Sequence, residues 1–286
     1  MVLKDIPLEI HDLIVGLLAE DGDTASIKAL ALCCRGSLPA CRAHLFSTLD
    51  LVPQYVRGQD CKIEYLTFIR KVDKLKSVFD ANPSLAHYVR NLTYMFLRCD
   101  FDDREIHQVL GSLTRVKVLV LRGAHRDSTV YRTSVDWSTL TLGLRQAVIR
   151  IVQLPSLGQL CLDQVTNFPL TALVSSPSLA HLTIESADFE EGTVSGSSAA
   201  LVTSTQSPAG DGAQKDHPML RLESLTFTDY SSRAIMSLMK AVDATGRPTV
   251  DLSHLVTLES LDKTGEMVVP SLLETSHHLK SLSCTG

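Results

Sequence analysis

Seven cysteines and ten histidines supply most of the side chains with an evident capacity for chemistry in this 286-residue sequence. Cys33, Cys34, Cys41 and His44 lie close together and are ligand types that hold zinc. Their spacing fits no zinc finger. On helices Cys34 and Cys41 fall on apolar faces, where a free cysteine packs as a small hydrophobe. Cys161 and His181 occupy equivalent slots in two similar segments, so a Cys–His nucleophile pair is one reading. No third orienting group or oxyanion site accompanies it. His277 and His278 diverge by about 100° on a helix and cannot share one ligand. There is no Gly-x-x-x-x-Gly-Lys or Gly-x-Gly-x-x-Gly for a nucleotide and no Gly-x-Ser-x-Gly elbow. The residues point to a protein that is not an enzyme, with no metal and no cofactor.

The totals exclude other classes. A net charge of −5 argues against a nucleic-acid or anionic-membrane surface, since both need clustered Lys and Arg. Hydrophobic residues make up 44% of the chain and aromatics only 5%, which favours aliphatic packing. An odd number of cysteines without a disulfide-like framework points to a reduced compartment, cytoplasmic or nuclear. The apolar opening IPLEIHDLIVGLLA, residues 6–19, is no signal peptide, because Asp5, Glu9, His11 and Asp12 interrupt it. It is also too short for a membrane span, which needs roughly 20 apolar residues.

Three short helices are expected in the first fifty residues. Pro7 suits a first helical turn. At about 100° per residue, Ile6, Ile10, Leu13, Ile14, Leu17 and Leu18 form one broad stripe, and Leu8 and Val15 a narrow one opposite. The broad stripe should hold the small domain together and the narrow one face a partner, unless the two sides are exchanged. Asp23 or Thr24 caps a second helix whose face carries Ile27, Leu30, Ala31 and Cys34, and Gly36 stops it. Ser37-Leu38-Pro39 opens a third, with Leu38, Cys41 and Leu45 on one side. So thin a core is usually completed by a partner.

These residues resemble an F-box of the kind found in mushroom-type fungi. Pro7, Glu9 and Ile10 match the family pattern Leu-Pro-x-Glu-Ile, with Ile6 for the first Leu. Leu30, Leu32, Cys34 and Arg35 match its second part. Cys33 departs from the usual Val, and Ser37 stands where the family often has Trp. The resemblance implies docking on the small adaptor of cullin-type SCF ubiquitin ligases. The adaptor-facing set would be Ile6, Pro7, Leu8, Ile10, Leu13, Ile14, Val15, Leu17, Leu30 and Cys34.

From residue 89 one pattern recurs: apolar-x-x-apolar-x-apolar. It appears as VRNLTYM, VKVLVL, LGQLCL, LAHLTI, LESLTF and LKSLSC, with LSHLVTL a weaker case. Helical candidates lie between these segments: Asp102 to Leu110, 138–152, 168–174, 231–246 and 270–276. Strand and helix in alternation predict an α/β repeat, an irregular leucine-rich-repeat-like solenoid over 89–286. Residues 190–216, rich in Ser, Thr, Gly and Ala, read as a flexible insertion. A helix over 62–80 ends at Asn82-Pro83, and residues 51–88 serve as linker and N-terminal cap. The chain stops at Gly286, two residues after LKSLSC, so such a solenoid would lack an evident C-terminal cap. The competing architecture is an ordinary α/β domain with a parallel sheet, whose strands should read as near-continuous apolar runs.

The combined expectation is a substrate receptor: an F-box-like domain over 1–50 that takes the SCF adaptor and, through it, cullin, with the repeats taking an unknown target protein. Exposed strand slots Lys117, Gln159, His181 and Glu223 would meet the target, with Tyr131 and Trp137 contributing from a loop. The alternatives are a scaffold whose F-box-like helices only cap the solenoid, and a Cys-dependent enzyme built on Cys161.

Overall fold

Pro7, with φ near −54°, is the N-cap of helix α1 (Leu8–Glu20). Gly22, at φ 72°, makes the left-handed turn that releases the chain from α1. Asp23 then caps α2 (Thr24–Cys33) by accepting a 3.0 Å hydrogen bond from the Ser26 amide. A turn at 35–37 leads into α3 (Leu38–Leu45), with Pro39 in its first turn, where a missing N–H is harmless. Val15, Ile27 and Cys41 are the fully buried centre of the three helices, and Leu18, Ala19, Leu30, Ala31, Ala40 and Leu45 pack around it. The computed structural model describes residues 7–52, 61–96, 104–123, 134–190, 219–228, 231–243, 246–261 and 268–284.

The chain divides into two compact units, Met1–Tyr94 with Asp102–Leu119, and Met95–Phe101 with Val120–Gly286. In the first, β1 (Thr48–Leu51) pairs in parallel with β2 (Asn91–Met95), Leu49 opposite Leu92. Between them run α4 (Cys61–Ala81) and a 3₁₀ turn over Pro83–Tyr88. α4 packs against α5 (Arg104–Ser112), burying Phe68, Val72 and Phe79 from the one and Ile106, Val109 and Leu110 from the other.

Beyond this the chain alternates strand and helix. The elements are β3 (Val118–Arg122), β4 (Val135–Asp136), α6 (Leu142–Val152), β5 (Gln159–Asp163), β6 (Val165–Thr166), α7 (Leu170–Val174) and β7 (His181–Glu185). They continue as β8 (Leu220–Arg221), β9 (Ser224–Phe227), α8 (Ser232–Met239), β10 (Val250–Asp251), β11 (Thr257–Ser260), α9 (Val269–Thr275) and β12 (Ser281–Cys284). Strands β5, β7, β9, β11 and β12 pair in parallel. The short pairs β4–β6 and β8–β10 form separate two-stranded ladders. Gly123 follows β3 where any side chain would strike the Gln164 backbone carbonyl.

This topology corrects the expected architecture. Eight strands form one mostly parallel sheet in the order β1-β2-β3-β5-β7-β9-β11-β12, with helices between them. The chain is an α/β protein, not an F-box-like helical domain followed by a leucine-rich-repeat-like solenoid. Strand β1 runs across the boundary expected at residue 50. The alternation along the strands produced the error. One face of the sheet is buried, with Leu160, Leu162, Leu182, Ile184, Leu225, Phe227 and Leu258 inside. The intervening Cys161, Thr183, Thr226 and Glu259 are only half-buried. A parallel sheet packed on one face gives the same alternating sequence that a repeat would give. The insertion 190–216 lies outside the described residues except at its first position.

Candidate protein-docking site

Helix α1 is assembled with its more apolar side outward. Val15 is 0% exposed, whereas Leu8 is 62%, Ile10 44%, Leu13 58%, Ile14 39% and Leu17 53% exposed. Ile10, Leu13, Ile14 and Leu17 follow the i, i+3, i+4, i+7 spacing and occupy an outer arc of about 100°. They form a two-turn aliphatic ridge of the kind that packs into the groove of another helix. Monomeric domains rarely leave such a contiguous set uncovered.

The expected assignment of sides is therefore exchanged. Ile10, Leu13, Ile14 and Leu17 of the broad stripe face out, while its Leu18 packs on the core and Val15 of the narrow stripe faces in. Leu8 stays exposed because it is the first helical residue, with no preceding turn over it. Three members of the expected docking set are corrected for the same reason. Val15 is the centre of the small core, Cys34 is buried, and Leu30 packs half-buried against that core. Pro7 is exposed beside Leu8, and Ile6 lies outside the described residues.

The inward side of α1 carries a polar residue that sequence reasoning passed over. His11 is buried, and its Nδ1 lies 2.6 Å from the hydroxyl of buried Ser37. Cys34 Sγ is 4.0 Å from the same nitrogen. A buried imidazole without a partner would cost about 1–3 kcal/mol, and Ser37 removes that cost. The Ser at 37 that departs from the F-box pattern therefore has a physical role here. Its signal in the sequence was a histidine at the centre of an apolar helix facing a small polar residue.

The residues expected to meet a target are only partly brought together. Gln159 and His181 are exposed and in register, followed across the sheet by Ser224, Thr257 and Ser281. A second row holds Cys161, Thr183, Thr226, Glu259 and Ser283. Glu223 is exposed but one residue ahead of the first row, where Ser224 takes its place. Lys117 is exposed one residue before β3. Trp137 is corrected outright. It is buried edge-on against Phe96 and Phe168, with ring centroids at 6.3 and 4.8 Å, because its large ring gains more in the core than at a surface. Tyr131 lies outside the described residues.

The chemical candidates take ordinary places. Cys161 is paired across the sheet with Thr183, not with His181. Burial pushes its thiol up to about 12, and the carboxylates of Glu185 and Asp163 push the same way. At neutral pH it is a thiol and not a nucleophilic thiolate. Cys33 is exposed, Cys34 and Cys41 are buried, and all three are free thiols. Among the described residues no three His, Cys, Asp or Glu side chains are placed to hold a metal ion. His277 and His278 are exposed, and the His278 ring stacks on His254 with centroids 5.9 Å apart. No described helix is long and apolar enough to cross a membrane.

Comparison with protein-family models finds no match to the chain, and no curated protein matches it.

Proposed function

We propose that this chain is a protein-binding adaptor, a substrate receptor that docks on the small adaptor of a cullin-type SCF ubiquitin ligase. The observation that carries the reading is the outward ridge of Ile10, Leu13, Ile14 and Leu17 on a helix whose other side is already packed. The likeness of Pro7, Glu9, Ile10, Leu30, Leu32 and Arg35 to the F-box pattern supplies the identity of the partner. The hydroxyl-rich rows on the open face of β5, β7, β9, β11 and β12, part exposed and part half-buried, offer the surface for a target protein. Rate enhancement would come from holding target and ligase together, not from a side chain of this chain. Such a receptor works in the cytoplasm or nucleus, in keeping with its free cysteines.

The test is direct binding of the full chain to the purified ligase adaptor. Retention at micromolar concentration is expected. Absence of retention at that concentration removes the ligase reading.

A further inference from the structure

The outer ridge of α1 does not stand alone on its surface. At about 100° per residue the helix divides lengthwise into three sectors. His11, Val15 and Leu18 turn inward, and Ile10, Leu13, Ile14 and Leu17 turn outward. Glu9, Asp12, Gly16 and Glu20 fill the sector on one flank between them. The three acids are exposed, and among the described residues none has an ion-pair or side-chain hydrogen-bond partner. No Lys or Arg occurs from Pro7 to Gly22. A Cβ on Gly16 would have nothing within 4 Å, so an open notch separates Asp12 from Glu20.

We propose that the occupant of the α1 ridge is an amphipathic helix of the partner protein that carries Lys or Arg along one flank of its apolar stripe. This rests on the reading of the ridge as a docking surface and specifies what fits it. The i, i+3, i+4, i+7 ridge selects a helix as the complementary shape. The one-sided row of carboxylates selects its charge and its rotation, because a cationic flank can lie over Glu9, Asp12 and Glu20 in only one orientation. The Gly16 notch gives a long Lys or Arg stem room to lie along the helix. The apolar ridge makes the site, and the acidic flank discriminates between partners.

Two labelled helical peptides with the same leucine stripe, one bearing Lys along a flank and the other Glu, would be titrated with the full chain. Fluorescence anisotropy is the readout. The Lys peptide should bind about tenfold more tightly at low salt, and the gap should shrink to about threefold or less near 1 M salt. Replacing Glu9→Gln, Asp12→Asn and Glu20→Gln together should close the gap at low salt. All three side chains are exposed, and circular dichroism would confirm that the helix persists. Equal affinities, a gap that survives in the neutral variant, or no binding of either peptide each overturn the proposal. Its fate is separable from that of the ligase reading. Adaptor binding without preference for the Lys peptide removes this inference alone. Preference for the Lys peptide without adaptor binding removes only the ligase assignment.

Discussion

Two substitutions two residues apart on one helix, about 200° around it, should have opposite consequences. Leu13 is 58% exposed on the outer ridge of α1, and Val15 is 0% exposed in the core of the same helix. Fully burying a leucine is worth about 1.5–3 kcal/mol, so covering the exposed part of Leu13 contributes about 0.9–1.7 kcal/mol to docking. Leu13→Asp forfeits that and places a carboxylate in a drying interface, for a total loss of about 3 kcal/mol, or roughly 100-fold in Kd. The fold should lose about 1 kcal/mol or less. Val15→Ala removes two methyl-sized groups worth about 0.8 kcal/mol each and leaves a cavity, a cost of about 2 kcal/mol to the three-helix core. Its docking, measured well below the melting temperature, should change less than about threefold. Calorimetric titration against the ligase adaptor and thermal unfolding would be run on both variants. The reasoning fails if Leu13→Asp binds like the unaltered chain. It fails equally if Val15→Ala weakens binding more than Leu13→Asp while leaving the melting temperature unchanged.

Three further outcomes follow from the second unit. With its thiol near 12, Cys161 should have roughly one thiolate in ten thousand at pH 8, and iodoacetamide should label exposed Cys33 at least tenfold faster by peptide mass mapping. Trp137→Ala should cost about 3–5 kcal/mol in denaturant unfolding, since the ring is buried between Phe96 and Phe168. Trp137 is the single tryptophan, so its blue-shifted emission in the unaltered chain reports the same burial. Burial raises the Asp251 carboxyl, but hydrogen bonds from Ser253 Oγ and N, with His254 and Arg221 nearby, outweigh it and hold it below the usual carboxylate range. Its stabilisation is thus present above the unfolded carboxylate pKa of about 3.9 and is lost as the pH falls through the lower folded value. Asp251→Asn should destabilise by about 1 kcal/mol at pH 7, with the gap closing below about pH 4.

Much of the local structure was legible. Each of the six apolar-x-x-apolar-x-apolar segments contains a strand, and in all but the last, where Leu282 is 48% exposed, alternate residues meet a buried and an open face. Asn82-Pro83 closes α4 as its chemistry requires, and Asp23 caps α2. The helix expected over 231–246 is shorter, since α8 stops at Met239 and Val242 bridges to Pro248. Strand β1 was missed because its four residues carry only Leu49 and Leu51 as apolar signal. The architecture was misjudged because sequence spacing reports which face of a strand is buried, not how many strands share one sheet.

The sides of α1 were illegible for a deeper reason. A helical wheel ranks faces by hydrophobicity, and the usual inference sends the most apolar face inward. Here α2 and α3 contribute only Ile27, Cys41 and a few small or half-buried residues, so the interior they form is narrow. It accepts Val15 fully and His11 only because Ser37 bonds the imidazole. The wider stripe does not fit into so small a space and stays outside. Polar residues at Ile10, Leu13, Ile14 and Leu17 would cost this fold little, since those side chains are already about half in water. Their apolar character has no adequate explanation inside the three-helix unit, and a second protein over the ridge supplies one. The carboxylates beside them then orient the incoming helix during encounter and favour a cationic flank once the aliphatic surfaces have met.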